Sequence, residues 1–363
     1  MPITLRDSST APIARADRLR NCNLPFTFET THVHRFNDDA AIAMSKATND
    51  SHQSPTKNRV AVILGYFDGQ SFVGDQIGSI FSQTHSAFHL FLCDDQSKTP
   101  FSFDHLDLDV EELSKLSVGV RPENIGCTKN FLNAVANVGN EFEYFAFSDQ
   151  DDVWHKNKLK KAIAELSKFP NDMPALYCAR TEVTDAACKY TFGYSPLFNK
   201  PPSFANSLVQ NIGGGNTMVF NKAAKNLIIN ASLNAVVVAH DWWCYQIVTG
   251  AGGHVVYDSE PCLKYRQHAH NLVGANSSWR TRLVRIPWLL QGHFRDLNDI
   301  NIKVLADHKH FLTKDNQKRL NDFTLARQSS LIKRLMLFKQ SGIYRQTLLG
   351  NISLLLGVLL NKV

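Results

Sequence analysis

The residues best suited to chemistry stand together in one short run, "EYFAFSDQDDVW", from Glu143 to Trp154. Tyr144 to Phe147 is apolar and aromatic, the pattern of a buried central strand. Asp149, Asp151 and Asp152 then arrive within four positions. Carboxylates at that density repel, and an unpaired charge beside a core is costly. Hard divalent cations such as Mg2+ or Mn2+ take oxygen ligands, commonly one or two carboxylates plus substrate phosphates. Asp149 and Asp151, a D-x-D pair at a strand end, fit that use, and a cation would relieve their repulsion. The plainer alternative is an acidic turn capping the next helix, with Asp152 favoured by the helix dipole.

Other candidates lie scattered along the chain. "LCDDQS" ends a strand in Asp94 and Asp95, where an acid can bond the base or ribose of a nucleotide, or simply form an Asx-turn. "GYFDG", residues 65–69, is a small-residue turn that lets a ligand approach the backbone, and "RPENIGCTKNF" supplies Arg121, Asn124 and Asn130. "NIGGGNTMVF" holds Gly213 to Gly215 but no G-K-[ST], so it is no Walker loop. It suits a tight segment against a ligand, or a hairpin. "AHDWWCYQIV" puts Asp241 beside His240 and ahead of Trp242 and Trp243. That reads as a general base beside an aromatic platform, or as a helix N-cap. "KYRQHAHN" offers Arg266 as a phosphate clamp and His268 as a metal ligand.

The elements that must position these groups follow from periodicity. Residues 1–58 lack sustained periodicity and end in the polar linker "TNDSHQSPTKN". Buried strands are then predicted at Arg59–Phe67, "FHLFLC", "LSVGVR" and Tyr144–Phe147. Helices are predicted over "QSFVGDQIGSIFSQT", Cys127–Val138 and "KNKLKKAIAELSKF". This alternation predicts a parallel, doubly wound sheet, whose ligands bind beyond the carboxyl ends of the strands. Asp68, Asp95, Asn124 and the 149–152 acids all follow such ends. Beyond residue 174, "PALYCART", "NTMVF", "HVVYD" and "PCLKYRQH" read as strands and "DWWCYQIVTGAG" as a helix, and from Trp279 the chain reads as helical, basic and amphipathic.

Composition is that of a globular protein, with 44% apolar and 20% charged residues. The net charge of +6 is uneven: Trp279 to Gln346 holds fourteen Lys/Arg against five Asp and no Glu. Seven scattered cysteines without a C-x-x-C pair suit neither a zinc site nor a disulfide framework. No apolar run reaches the roughly 18 residues of a membrane span; Leu348 to Leu360 is shorter and interrupted. A cytoplasmic protein is expected. The basic tail, with Leu283, Ile286, Trp288 and Leu289 and again Leu331, Leu335 and Phe338, is expected to lie on a membrane surface, or else to pack on the preceding domain or on a second subunit.

Taken together, these residues resemble the inverting family-2 glycosyltransferases, and more narrowly their bacterial rhamnosyltransferase-like group. "SDQDDVW" and "HDWW", about ninety residues apart, carry the resemblance, with "DDQS", "GYFDG" and "YRQH" in support. Phe67-Asp68 departs from the family's more usual Tyr-Asn. The resemblance implies a GT-A fold, a Rossmann-like mixed and mainly parallel sheet flanked by helices, over residues 59–275. An N-terminal extension (1–58) and a basic helical C-terminal region (276–363) complete the chain. It implies Asp241 as catalytic base, Asp149, Asp151 and His268 at a Mg2+ or Mn2+ ion, and Tyr66, Asp68, Asp95, Asn124, Asn130, Asp149 and Arg266 at a nucleotide-sugar. Gly214, Gly215, Asn216, Trp242 and Trp243 are assigned to a saccharide or lipid-linked saccharide acceptor. The activity implied is sugar transfer, from a donor such as dTDP-rhamnose, in cell-surface polysaccharide synthesis, with no nucleic-acid partner. Two other classes are open: a haloacid-dehalogenase-like phosphatase, since "DQDDV" also reads D-x-D-x-V, and a non-catalytic carbohydrate-binding relative. Three strand signals ahead of the acids weigh against the phosphatase, whose motif ends the first strand.

Overall fold

A computed structural model describes residues 28, 58–103, 106–232, 235–268 and 292–363. Four apolar runs form the parallel half of one sheet: β1 (Val60–Tyr66), β2 (Phe88–Asp94), β3 (Leu116–Val120) and β4 (Tyr144–Ser148), in the order β3-β2-β1-β4. Strand alternation sorts their side chains onto two faces. Ala61, Ile63, Phe145 and Phe147 pack on one side against Phe131, Ala134 and Val135 of helix α3 (Cys127–Asn137). Val60, Val62, Leu64 and Ala146 pack on the other against α1 (Gln70–Phe81) and α4 (Lys158–Leu166). Both faces are covered, which is why these strands read as continuous apolar runs. A short helix, α2 (Val110–Ser114), precedes β3.

The sheet continues past β4 as a mixed half. β8 (Val219–Asn221) runs antiparallel to β4 and to β6 (Ala175–Thr184), and β9 (His254–Arg266) runs parallel to β6. The two-residue β5 (Val153–Trp154) pairs with β9, and β7 (Thr191–Tyr194) forms a hairpin on β6. The two short runs "HVVYD" and "PCLKYRQH" are in fact this single strand β9. Pro261 interrupts its sequence pattern, yet the proline falls where the register shifts opposite Arg180, a place that tolerates a missing N–H donor. The mixed sheet flanked by helices is the expected fold.

Helices α5 (Phe204–Ser207), α6 (Lys222–Ser232) and α7 (His240–Gly250) cover the second half. The C-terminal region forms α8 (His293–Asp307), α9 (Lys314–Gln328), α10 (Leu331–Ser341) and α11 (Leu348–Leu359). Phe294, Ile302, Leu305, Phe323, Leu354 and Val358 join the same core as Phe147 and Trp243, so these helices are built onto the sheet. Of the three apolar residues singled out in α10, Leu335 and Phe338 pack against that core, as the packing alternative has it, and Leu331 is exposed. Leu283, Ile286, Trp288 and Leu289 lie outside the described residues, as does the N-terminal extension apart from Phe28 and Asn58. The Phe28 ring rests against Phe91 at 4.8 Å.

Candidate active site

The carboxyl ends of β1, β2 and β4 deliver Asp68, Asp95 and the Asp149–Asp152 acids to one edge of the sheet. Asp68 adopts a left-handed φ of 48° and is held by Ser97, whose hydroxyl accepts from its N–H, and by the N–H of Lys98 on its carboxylate. Gln150, inside the acidic loop, reaches back to this turn. Its amide accepts from Phe67 N–H at 2.7 Å and donates to Phe67 C=O at 3.1 Å. A Cβ at Gly69 would stand 2.3 Å from that amide, so any larger residue there would push the Gln150 amide from its present place.

Asp95 is buried, and its two carboxylate oxygens accept from Ile125 and Gly126 N–H at 2.9 and 2.8 Å. Burial pushes its pKa up, against the lowering by those bonds. Asn124 closes the same junction by donating to Asp95 C=O. Tyr66 is buried with no partner for its hydroxyl, and burial followed by repulsion from Asp94 and Asp68 pushes it to about 12. Asn130 is not on the cleft surface. It is buried in α3, where it accepts from Arg121 Nε and donates to Cys93 C=O.

The acids themselves face one another. Burial, then repulsion from Asp151 and Asp241, pushes Asp149 up to about 7, with Lys158 partly opposing. Asp151 Oδ2 lies 2.8 Å from His268 Nε2, and Asp151 C=O accepts from Arg266 Nε at 2.9 Å. Arg266 is therefore no phosphate clamp. It is buried, and its remaining nitrogens donate to Ala186 C=O and pair with Asp75. Asp152 is fully buried: Oδ2 accepts from Asn216 at 2.6 Å, Oδ1 has no partner, and burial raises its pKa well above the carboxylate range. Lys158, also buried, lies over the Trp154 ring and donates to Asn216 C=O at 2.5 Å; burial lowers it to about 8. Asn216 thus joins the acidic loop to the glycine segment and is not open to an acceptor.

Asp241 approaches from the far side. Ala239 is the N-cap of α7 and Asp241 lies in the first helical turn, so the capping alternative does not hold. Its carboxylate accepts from Gly215 N–H at 3.2 Å and from Trp242 N–H at 2.6 Å. Gly213 and Gly215 must be glycines, since a Cβ would meet Cys178 at 2.5 Å and His240 at 2.3 Å. Gly214 alone of the three is exposed. Trp242 and Trp243 do not form a sugar platform: they are 9% and 1% exposed, and their indole N–H groups donate to Ser207 C=O and to Ser232 Oγ. Cys127 opens α3 amid these acids. Its side chain is exposed, yet desolvation by the surrounding loops, then the charges of Asp149, Asp241, Asp95 and Asp151, push the thiol up.

Gln150, Asp152 and Lys158 were not among the expected site residues. The first two stand inside "SDQDDVW", but Lys158 reads as one more lysine of an amphipathic helix. Among the described residues no group of three His, Cys, Asp or Glu side chains could hold a metal. The Asp149–Asp151 pair nevertheless fits a cation that draws its other ligands from a diphosphate. Asp149 has no hydrogen-bond donor among the described residues, and burial, then its acidic neighbours, raise its pKa to about 7.

This predicts a pH signature in the metal-free protein. The folded pKa of Asp149 exceeds its unfolded value, so the proton's stabilisation is full below about pH 4 and is lost as pH rises to about 7. Asp149→Asn should gain little Tm near the acid end of that window and several degrees above its upper end. A Tm difference independent of pH, measured with a chelator present, contradicts the burial assigned to this acid.

Residues 56–227 match the model of glycosyl transferase family 2. The dTDP-rhamnosyl transferase RfbG of Shigella flexneri is 29% identical over 234 residues, covering 61% of this chain and 78% of that protein. The succinoglycan biosynthesis protein ExoW of Rhizobium meliloti is 28% identical over 141 residues, covering 38% and 42%. Among solved structures, S. aureus TarS 1–349 in complex with UDP-GlcNAc aligns with a TM-score of 0.44 at 13% identity, over 79% of this chain and 93% of that one. Residues 56–227, whose strand ends carry the converging acids, are thus a family-2 glycosyltransferase domain.

Proposed function

We propose that this glycosyltransferase moves a sugar, rhamnose from dTDP-rhamnose, onto a saccharide or lipid-linked saccharide during cell-surface polysaccharide synthesis, inverting the anomeric carbon. One observation supports this above others: Asp241 accepts from Gly215 N–H while the next residue, Asn216, donates to Asp152 of the acidic loop that would hold the donor diphosphate, so the candidate base and that loop are tied to the same segment. The choice of donor is supported by the likeness to RfbG.

Asp149 and Asp151 would hold a divalent cation, Mg2+ or Mn2+, with His268 orienting Asp151 from behind. Such a cation supplies charge neutralisation at the departing diphosphate. The protein's own part is acid–base chemistry and positioning. The acceptor hydroxyl gives its proton to the Asp241 carboxylate as its oxygen bonds to the anomeric carbon, and the bond to the diphosphate oxygen breaks with its electron pair. One displacement inverts the configuration. Gly215 N–H fixes one Asp241 oxygen during this step. Asp68, Asp95 and Asn124 border the donor's nucleotide end, with Tyr66 offering only backbone there, and Gly214 borders the acceptor.

A thermal-shift screen of nucleotide-sugars with Mn2+ and Mg2+ tests the donor. A ligand at a hundred times its Kd stabilises by about 2.7 kcal/mol. dTDP-rhamnose should give the largest metal-dependent rise. A larger rise with a UDP- or GDP-sugar overturns the choice of donor, and no rise with any of them overturns the proposal.

A further inference from the structure

Helix α11 presents an unusual outer face. Leu348, Leu349, Ile352, Leu355, Leu356 and Leu359 are all exposed, the first two by 77% and 63%. Their spacing of i, i+1, i+4, i+7, i+8 and i+11 places them on one stripe of an α-helix. The opposite face, with Leu354, Gly357 and Val358, is buried in the core. Ile332 and Met336 of the adjoining α10 are exposed as well. A contiguous apolar surface of this kind marks a site of contact.

Charge selects the partner. Residues 331–363 contain Lys333, Arg334, Lys339, Arg345 and Lys362, and no Asp or Glu. Two copies joined through this face would set like charges against each other, whereas anionic lipid headgroups complement them. Length selects the mode of contact. Twelve residues span only about 18 Å, against roughly 30 Å of bilayer hydrocarbon. No described helix is long and apolar enough to cross a membrane.

We propose that the outer face of α11, with the exposed end of α10, is a docking surface for an anionic phospholipid bilayer, on which α11 lies in the plane of the headgroups. The surface is preformed. Thr347 caps α11 through Gly350 N–H, and Arg334 of α10 donates to Val358 C=O at its other end. It is also tied to the catalytic centre. In the turn before α11, Tyr344 C=O accepts from Asn206, and Gln346 N–H donates to Gln210. Ser207, next to Asn206 in α5, accepts the indole N–H of Trp242, the neighbour of Asp241. A docked α11 therefore holds the base helix at a set place relative to the lipid surface, where a lipid-linked acceptor would present its sugar. That last step rests on the proposed function; lipid docking itself does not.

Co-sedimentation of the full chain with vesicles, without donor or acceptor, tests the docking alone. Vesicles of phosphatidylcholine mixed equally with phosphatidylglycerol should pellet the protein at low salt, and pure phosphatidylcholine should bind about tenfold less. Leu349→Glu with Leu356→Glu changes exposed positions only, so the fold is kept, as circular dichroism would verify. This variant should stay in the supernatant, and Lys333→Glu with Lys339→Glu should lose most of the preference for phosphatidylglycerol. Equal pelleting of wild type and the leucine variant overturns the proposal, as does no pelleting of the wild type. A dimer on size exclusion that the leucine variant abolishes, without vesicle binding, assigns the face to a second copy instead.

Discussion

Asp241→Asn should lower turnover by about 10²- to 10⁴-fold, the range that a positioned general base contributes, while donor affinity stays near wild type. An amide oxygen can still accept from Gly215 N–H, so the glycine segment and the start of α7 keep their places. What is lost is the ability to take a proton. Release of nucleoside diphosphate in the presence of acceptor measures the first effect, and calorimetry with donor measures the second. Turnover within a few-fold of wild type would reduce Asp241 to a tether for Gly215. A parallel loss of donor affinity would place it on the wrong side of the cleft.

Asp151→Ala should abolish the enhancement of nucleoside-diphosphate affinity by Mn2+, an effect of about 100-fold or more. The cation would lose a direct carboxylate ligand while Asp149 alone remained. His268→Ala supplies the graded comparison. His268 Nε2 stands 2.8 Å from Asp151 Oδ2, the place of a residue that orients a ligand, and its loss should cost about 10- to 100-fold in metal affinity. Calorimetric titration of nucleoside diphosphate with and without Mn2+ reads both variants. Unchanged, metal-dependent affinity in a folded Asp151→Ala protein would remove the acidic loop from the donor site. Equal losses in the two variants would put His268 on the metal itself.

The parallel half of the sheet and the place of the acids were legible in the sequence. Strands β1 to β4 are apolar on both faces because helices cover both, and such runs announce themselves without reference to the rest of the chain. The acids that follow them, and Asp241 at the head of a helix, stand at positions fixed by these local patterns. Which polar and aromatic side chains reach the cleft was decided by tertiary structure. Trp242 and Trp243 carry an apolar body and one N–H, which suits a sugar platform or a core equally. The carbonyl of Ser207 and the hydroxyl of Ser232, thirty-five and eleven residues away, satisfy those N–H groups inside. Arg266 and Asn130 were turned inward by partners just as remote in sequence, Asp151 and Asp75 for one, Arg121 and Cys93 for the other. Lys158 was drawn under the acidic loop by a backbone carbonyl fifty-eight residues on. The apolar run from Leu348 divided for the same reason: its pattern gives a helix, but only the packing of Leu354 and Val358 against the core determines which leucines are left facing outward. Periodicity fixes an element and its faces, whereas burial of a face depends on what the rest of the chain brings against it.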